Sequence, residues 1–301
     1  MRIVILDIAR CIAIVMILLT HIAQTTKSPL DFFVGIKGFY YVSLGGIAVT
    51  IFLIISGLVI ELQYGSKEIK YHIFVIKRIL RIYPVYYLSL FIGIIALLFY
   101  SDTLTKVISD FRLIDVFLCI TGFYPFAGKW GGPFVATSWF IGLIMTMYLL
   151  YPVLSKSFKK SPHRTIIILF IISMASRILM GRYGYFLHRP LDWFPLCRVF
   201  EFGFGIYIAH IFHPSHMNII KTTGFFSPFF RVISDLSFPL FLVHYPLLIF
   251  LNSFSSSDIN YHLSVIPYLF ISLLLSWIIL LIDKRIPRSL ILNKVLTGNE
   301  S

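Results

Sequence analysis

Eight apolar segments, each close to the length needed to cross a lipid bilayer, constrain this chain more than any other feature. A helix crosses the hydrocarbon core with roughly 20 mostly apolar residues. Such segments occupy residues 3–23, 44–62, 83–100, 139–155, 165–181, 198–213, 236–252 and 264–282. They predict an all-α fold, a polytopic transmembrane helical bundle of about eight to ten helices. We expect a single transmembrane domain over residues 1–301.

The composition excludes a soluble globular domain. Hydrophobic residues make up 58% of the chain and charged residues only 13%, whereas soluble domains carry about 25% charged residues. Cys11, Cys119 and Cys197 stand singly in apolar segments, which indicates buried small residues rather than a disulfide framework or a metal site. We therefore expect neither a metal nor a cofactor.

The formal net charge of +13 has two interpretations, nucleic-acid binding or cytoplasmic loops rich in Lys and Arg. We favour the second, because no nucleic-acid-binding motif is present. Basic residues concentrate in 63–82, in 156–164 and in the tail from residue 284. With eight spans, all three basic regions and both termini lie in the cytoplasm. We expect a multi-pass protein of the cell membrane. This topology requires that the weaker segment 112–126 does not cross the bilayer, which the sequence leaves open.

The first apolar segment carries Asp7, Arg10 and His21, and we expect it to be a retained helix. At 100° per residue, Arg10 and His21 lie about 20° from a common face and about 16 Å apart along the axis. One interpretation is structural, with Asp7 and Arg10 paired and His21 at the outer interface. The other is catalytic, because a cation below a titratable imidazole suits transfer from an anionic donor to a hydroxyl acceptor.

Two arginines at the start of the third segment also share a helix face. Arg78 and Arg81 are three residues apart. They are either an anchor that follows the positive-inside rule or a clamp for phosphates, which Arg binds bidentately.

Two further polar pairs lie in later apolar segments. Arg198 and Glu201 have the i,i+3 spacing of a structural ion pair, and charged residues at membrane depth also mark functional sites. Ser237 and His244 lie about 20° from a common helix face. An intramembrane His is a packing residue or a catalytic one, and the spacing does not choose between them.

Six motifs in this order resemble the acyltransferase 3 family of integral membrane acyltransferases. They are Leu6-Asp7-Ile8-Ala9-Arg10 followed by ten residues and His21, the run 51–60 with Ser56, Arg78-x-x-Arg81-x-x-Pro84-x-Tyr86, Trp139 through Tyr148 to Pro152, Arg198-x-x-Glu201-Phe202-x-x-Gly205, and Ser237 to His244. Two features depart from the family pattern. Ile144 stands where many members have Glu, and the stretch between 213 and 237 is short.

The resemblance implies O-acylation, usually acetylation, of an extracytoplasmic glycan or glycolipid, with cytoplasmic acetyl-CoA or another acyl-CoA as donor. It implies that His21 is the catalytic residue, with Arg10 as its partner, and that Arg78 and Arg81 contact the donor. The remaining motif residues are implied to support the site or the acceptor: Asp7, Ser56, Trp139, Tyr148, Arg198, Glu201, Ser237 and His244. The expected partners are the acyl-CoA, the acceptor and the lipid bilayer, with no nucleic acid.

Several alternatives stay open on the sequence. His21 acts either as general base on the acceptor hydroxyl or as a nucleophile that forms an acyl-His intermediate. A catalytically degenerate member of the family and a small-molecule transporter are the alternative functions. The sequence names neither the acceptor nor the length of the acyl chain.

Overall fold

The computed structural model describes residues 3–26, 43–68, 70–98, 112–126, 134, 137–182, 193–212, 227–254 and 261–297. These residues contain no strand, and they confirm the all-α prediction. The helices of this part of the chain are α1 (Val4–Thr26), α2 (Leu44–Tyr64), α3 (Tyr71–Leu98), α4 (Leu113–Thr121), α5 (Ser138–Lys160), α6 (Pro162–Arg182), α7 (Val199–Ile211), α8 (Ser227–Phe254), α9 (Tyr261–Arg285) and α10 (Arg288–Thr297). Short 3-10 turns occupy Tyr124–Phe126 and Pro195–Arg198.

Six of the described helices are long and apolar enough to cross a membrane: α1, α2, α3, α5, α6 and α9. They support the prediction of a multi-pass membrane protein. The predicted span 198–213 corresponds to α7, which has only 13 residues, and 236–252 lies within the 28-residue α8. Segment 112–126 forms the nine-residue α4 and a 3-10 turn. At about 14 Å, α4 is too short to cross a bilayer by itself.

Helix α3 begins at Tyr71, twelve residues before the apolar span that the sequence predicts, so the basic residues of this region are helical. Pro84 lies inside the helix and provides no N–H for the carbonyl of Leu80. Arg288 from the start of α10 donates from Nε to that carbonyl over 2.8 Å. This contact satisfies the backbone group that Pro84 frees, so the helix continues through the proline.

Helix α8 also has a side-chain donor for a carbonyl that a proline leaves unpaired. Pro246 lies inside this helix and leaves the carbonyl of Leu242 without its usual N–H donor. The hydroxyl of Thr137, at the start of α5, donates to this carbonyl over 3.4 Å. The contact joins α5 to α8 close to the residues of the candidate site.

Two pairs of parallel helices organise the core. In the pair α2 and α7, a Cβ on Gly57 would lie 2.0 Å from the carbonyl oxygen of Phe202, and a Cβ on Gly205 would lie 2.0 Å from that of Ile54. Only glycine permits this approach, as in close helix contacts within membranes. In the pair α1 and α8, Asp7 contacts Ser234 and His21 contacts His244, so the stripe predicted on α1 faces α8.

The bundle has two chemically different ends. Helices α1, α3 and α8 begin at one end, and α2, α5 and α9 finish there. We call it the basic end because it holds Lys77, Arg81 and Lys284, all exposed. His21 and His244 lie toward the opposite end: His21 is near the end of α1, and His244 is in the second half of α8.

Candidate active site

A cavity of about 560 Å³ extends from the basic end into the bundle, between α1, α2, α3, α5, α8 and α9. Two carboxylates, Asp235 and Asp283, line it together with six cationic side chains. The cations are Arg10, Lys77, Arg78, Arg81, Lys284 and Arg288. The cavity therefore has a positively charged mouth that suits a ligand with several negative charges.

Arg78 is the most enclosed of these cations, at 6% exposure. Its guanidinium carbon lies 5.2 Å from the ring centroid of Tyr64, 5.4 Å from that of Phe74 and 5.6 Å from that of Tyr148. Its Nη2 donates to the Tyr64 hydroxyl over 2.9 Å, and its Nε has no hydrogen-bond partner among the described residues. Cation–π contacts with the three rings thus stabilise the charge of Arg78. The Nε–H group remains as a hydrogen-bond donor for an anion.

Arg10 is held at the cavity wall by its own helix and by α8. Its Nη1 lies 3.3 Å from Asp7 Oδ1 and 3.4 Å from Ser234 Oγ, and Ser234 donates to Asp7 over 2.7 Å. The ion pair of the structural interpretation is therefore formed. Ten residues of unbroken α1 separate Arg10 from His21, a rise of about 16 Å along the helix, so the two side chains belong to different levels of the site.

The last helices complete the cationic mouth. Arg288 pairs with Asp283, and Lys284 is exposed beside them. On the sequence Lys284 and Arg288 belong only to a basic tail. Their place at the cavity follows from the contact between Arg288 and the carbonyl of Leu80 on α3, which no local pattern predicts.

His21 lies in a small cluster toward the opposite end. Its Nδ1 is 3.1 Å from Gln24 Oε1. An amide oxygen can only accept a hydrogen bond, so Nδ1 carries the hydrogen and Nε2 keeps its lone pair. Its ring centroid is 5.3 Å from that of His244 and 5.1 Å from that of Tyr245. The ring therefore presents its lone pair at Nε2. The sequence analysis missed Gln24, although its i+3 spacing from His21 was a signal.

Three phenylalanine rings line the inner part of the cavity, and one of them, Phe241, contacts His244. The ring centroid of Phe241 is 4.9 Å from that of Phe140 and 6.4 Å from that of Phe52, and 6.4 Å separates Phe52 from Phe140. All three line the cavity, whereas His21 and His244 are not among the described residues that do so. We call these three rings the phenylalanine layer.

The other predicted site residues fall into two groups. Ser56, Tyr148 and Ser237 line the cavity. Arg198 and Glu201 lie apart from it, in an ion pair of 3.0 Å.

The residues of this ion pair also contact two neighbouring helices. Arg198 Nη2 donates to Thr50 of α2 over 3.1 Å, and Arg177 of α6 lies 3.4 Å from Glu201. The pair thus joins α7 to two neighbours. Trp139 stacks on Trp193 with centroids 5.3 Å apart, outside the set of cavity-lining residues described here.

A second polar cluster escaped the sequence analysis. Glu61 is buried, and its Oε1 lies 3.0 Å from His210 Nε2 and 3.2 Å from Ser155 Oγ. The signal was a carboxylate at the end of an apolar segment. Within the described residues, no group of three or more His, Cys, Asp or Glu side chains is arranged to hold a metal ion.

Comparison with known proteins identifies the family of this chain. The acyltransferase domain of the acyltransferase 3 family matches residues 3–230. No protein of curated function and no solved structure matches the chain significantly. The matched range includes Arg10, His21 and Arg78 and ends before Ser237 and His244. Because it covers about three quarters of the sequence, the chain belongs to the acyltransferase 3 family of membrane acyltransferases.

Proposed function

We propose that this protein transfers an acetyl group from acetyl-CoA, bound at the basic end, to a hydroxyl of a glycan or glycolipid that reaches His21 from the opposite end. One observation carries the proposal. A cavity with a cationic mouth leads inward to the phenylalanine layer, and Phe241 of that layer contacts His244, which lies against His21.

The cations at the mouth suit the phosphates of a CoA thioester. Arg78 and Arg81 on α3 bind phosphate oxygens bidentately, while Lys77, Lys284 and Arg288 add charge at the rim. The pantetheine arm then extends past Ser56 and Tyr148 toward the phenylalanine layer. Arg10, held by Asp7 and Ser234, adds positive charge beside this path.

His21 acts as the general base. Its Nε2 takes the proton of the acceptor hydroxyl while the oxygen attacks the thioester carbonyl. The carbon–sulfur bond breaks when the tetrahedral intermediate collapses, and the CoA thiolate receives the proton from the imidazolium. Gln24 supports this role because it holds the tautomer with hydrogen on Nδ1. His244, Ser237 and Trp139 are assigned to acceptor placement, and Arg198 and Glu201 to support of the bundle.

The same proposal orients the protein in the cell membrane. The basic end faces the cytoplasm with both termini, which agrees with the positive-inside rule and with the location of CoA thioesters. The histidine end faces outward. We assign residues 1–301 to one transmembrane domain, because α8, α9 and α10 complete the cavity that α1, α2, α3 and α5 begin.

The decisive experiment measures CoA release by the purified protein in lipid nanodiscs, with acetyl-CoA and a panel of glycan and glycolipid acceptors. We expect His21→Ala to reduce acceptor-dependent release by at least about 100-fold, the usual contribution of a general base. His72→Ala is the matched control, because His72 is exposed at the start of α3, and it should retain activity. Full activity in His21→Ala contradicts the role of His21, and failure of the wild type to bind acetyl-CoA contradicts the proposed donor.

A further inference from the structure

We infer that the phenylalanine layer restricts the donor to short acyl groups and that Phe241 sets the limit. This inference rests on the proposed function, because it concerns the acyl group of the CoA thioester. It names the residues that select the donor, a property that the sequence leaves open.

The layer consists of side chains from three different helices. Phe52 belongs to α2, Phe140 to α5 and Phe241 to α8, and each ring lies edge-on to the other two, at interplanar angles of 61° to 64°. Phe140 and Phe241 are only 6% and 4% exposed. Rings in such contact narrow the inner end of the cavity, so a longer alkyl chain would have to displace one of them, because protein interiors are close-packed.

Phe241 contacts the groups on both sides of this layer. One side of Phe241 lines the cavity, and its ring centroid is 6.0 Å from that of His244. His244 in turn lies against His21. A thioester carbonyl that approaches this pair from the cavity must therefore lie at the level of the phenylalanine layer. The alkyl chain beyond the carbonyl then occupies the space where the rings meet.

The helix that carries Phe241 is fixed at this level. The hydroxyl of Thr137 donates to the carbonyl of Leu242, the next residue, and His244 is fully buried one turn further along α8. Phe241 has little room to withdraw, so a longer acyl chain must displace a packed ring. In hydrophobic pockets, one methylene that does not fit changes the preference between two substrates by about tenfold or more.

The test measures the binding of acetyl-CoA, butanoyl-CoA and hexanoyl-CoA to the full chain in nanodiscs by calorimetry, which needs no acceptor. We expect wild-type affinity to fall by about tenfold or more from acetyl-CoA to hexanoyl-CoA. Phe241→Leu should reduce this difference to about threefold or less, because the shorter side chain opens the layer. Phe52→Leu should act in the same direction and provides a second, independent test if Phe241→Leu does not fold.

Phe238→Leu is the matched control for chain length. Phe238 lies one turn closer to the basic end on the same helix and lines the same cavity, so its replacement should keep the preference for acetyl-CoA. Equal wild-type affinity for acetyl-CoA and hexanoyl-CoA overturns the inference. An unchanged preference in both Phe241→Leu and Phe52→Leu also overturns it. If the wild type binds none of the three thioesters, the proposed donor is wrong, and the inference fails with it.

Discussion

The centroids of the His21 and His244 rings lie 5.3 Å apart across the α1–α8 contact, and His244 contacts Phe241 of the phenylalanine layer. His244 donates from Nδ1 to the carbonyl of Leu240 over 3.1 Å. Its Nε2 is buried and has no hydrogen-bond partner among the described residues. A buried polar atom without a partner costs about 1–3 kcal/mol. Such a cost is consistent with a site in which Nε2 of His244 accepts a hydrogen bond from a substrate hydroxyl.

Replacement of His244 by Phe should therefore raise the stability of the protein and weaken its interaction with the acceptor. The apolar ring removes the unsatisfied nitrogen, so we expect a gain of about 1 kcal/mol in the free energy of unfolding. The KM for the acceptor should rise by about tenfold, the cost of one lost hydrogen bond. Thermal unfolding and steady-state kinetics on the same preparation test both effects. A lower melting temperature with an unchanged acceptor KM would show that His244 only packs.

Gln24 should matter through the tautomer of His21. In Gln24→Leu the acceptor for Nδ1–H is lost, and the proton is no longer confined to that nitrogen. We expect kcat to fall by about tenfold, with the KM for acetyl-CoA unchanged. Gln63→Leu, at an exposed position near the end of α2, serves as control. An increase in the KM for acetyl-CoA in Gln24→Leu would assign Gln24 to donor binding instead.

Arg78→Lys should weaken the donor site without removing its charge. Lys cannot form two parallel hydrogen bonds to a phosphate, and its ammonium loses the flat contacts with the surrounding rings. The KM for acetyl-CoA should increase by about tenfold while kcat stays near the wild-type value. Lys159→Ala, exposed in the last turn of α5, should change neither parameter. If kcat falls and the KM does not, Arg78 acts on the chemical step or on the fold.

The α2–α7 contact should not tolerate a methyl group at Gly57. A Cβ there meets the carbonyl oxygen of Phe202 at 2.0 Å, so the helices must move apart. We expect Gly57→Ala to lower stability by about 1–3 kcal/mol, the usual cost of overpacking. Gly181→Ala is the matched control, because among the described residues no atom outside its own stretch of helix lies within 4 Å of the added Cβ. Equal melting temperatures for the two variants would contradict the packing described here.

A double-mutant cycle tests the link between Pro84 and Arg288. In the wild type, Arg288 occupies the Leu80 carbonyl that Pro84 leaves without an N–H donor. In Pro84→Ala the backbone N–H returns, so Arg288→Ala should destabilise this background less than it destabilises the wild type. We expect a coupling of about 1 kcal/mol, measured by thermal unfolding. Strict additivity would show that Arg288 acts only through its ion pair with Asp283.

Local patterns were enough to predict the class of fold and the helix faces. Six predicted spans became helices of membrane-spanning length and composition. Asp7, Arg10 and His21 face α8 together, as their spacing requires, because the face of a helical residue depends only on its position along the chain. The order of six short motifs also indicated the family, and the family comparison confirmed it.

Contacts between distant residues were decided only by the tertiary structure. The sequence allowed α4 to span, and the structure ends this helix after nine residues. No periodicity predicts that His21 meets His244, that three aromatic rings surround Arg78, or that Arg288 reaches Leu80. Sequence periodicity determines which face of a helix is apolar or polar. The packing of six helices determines which residues oppose that face, and the cavity and the phenylalanine layer exist only between those helices.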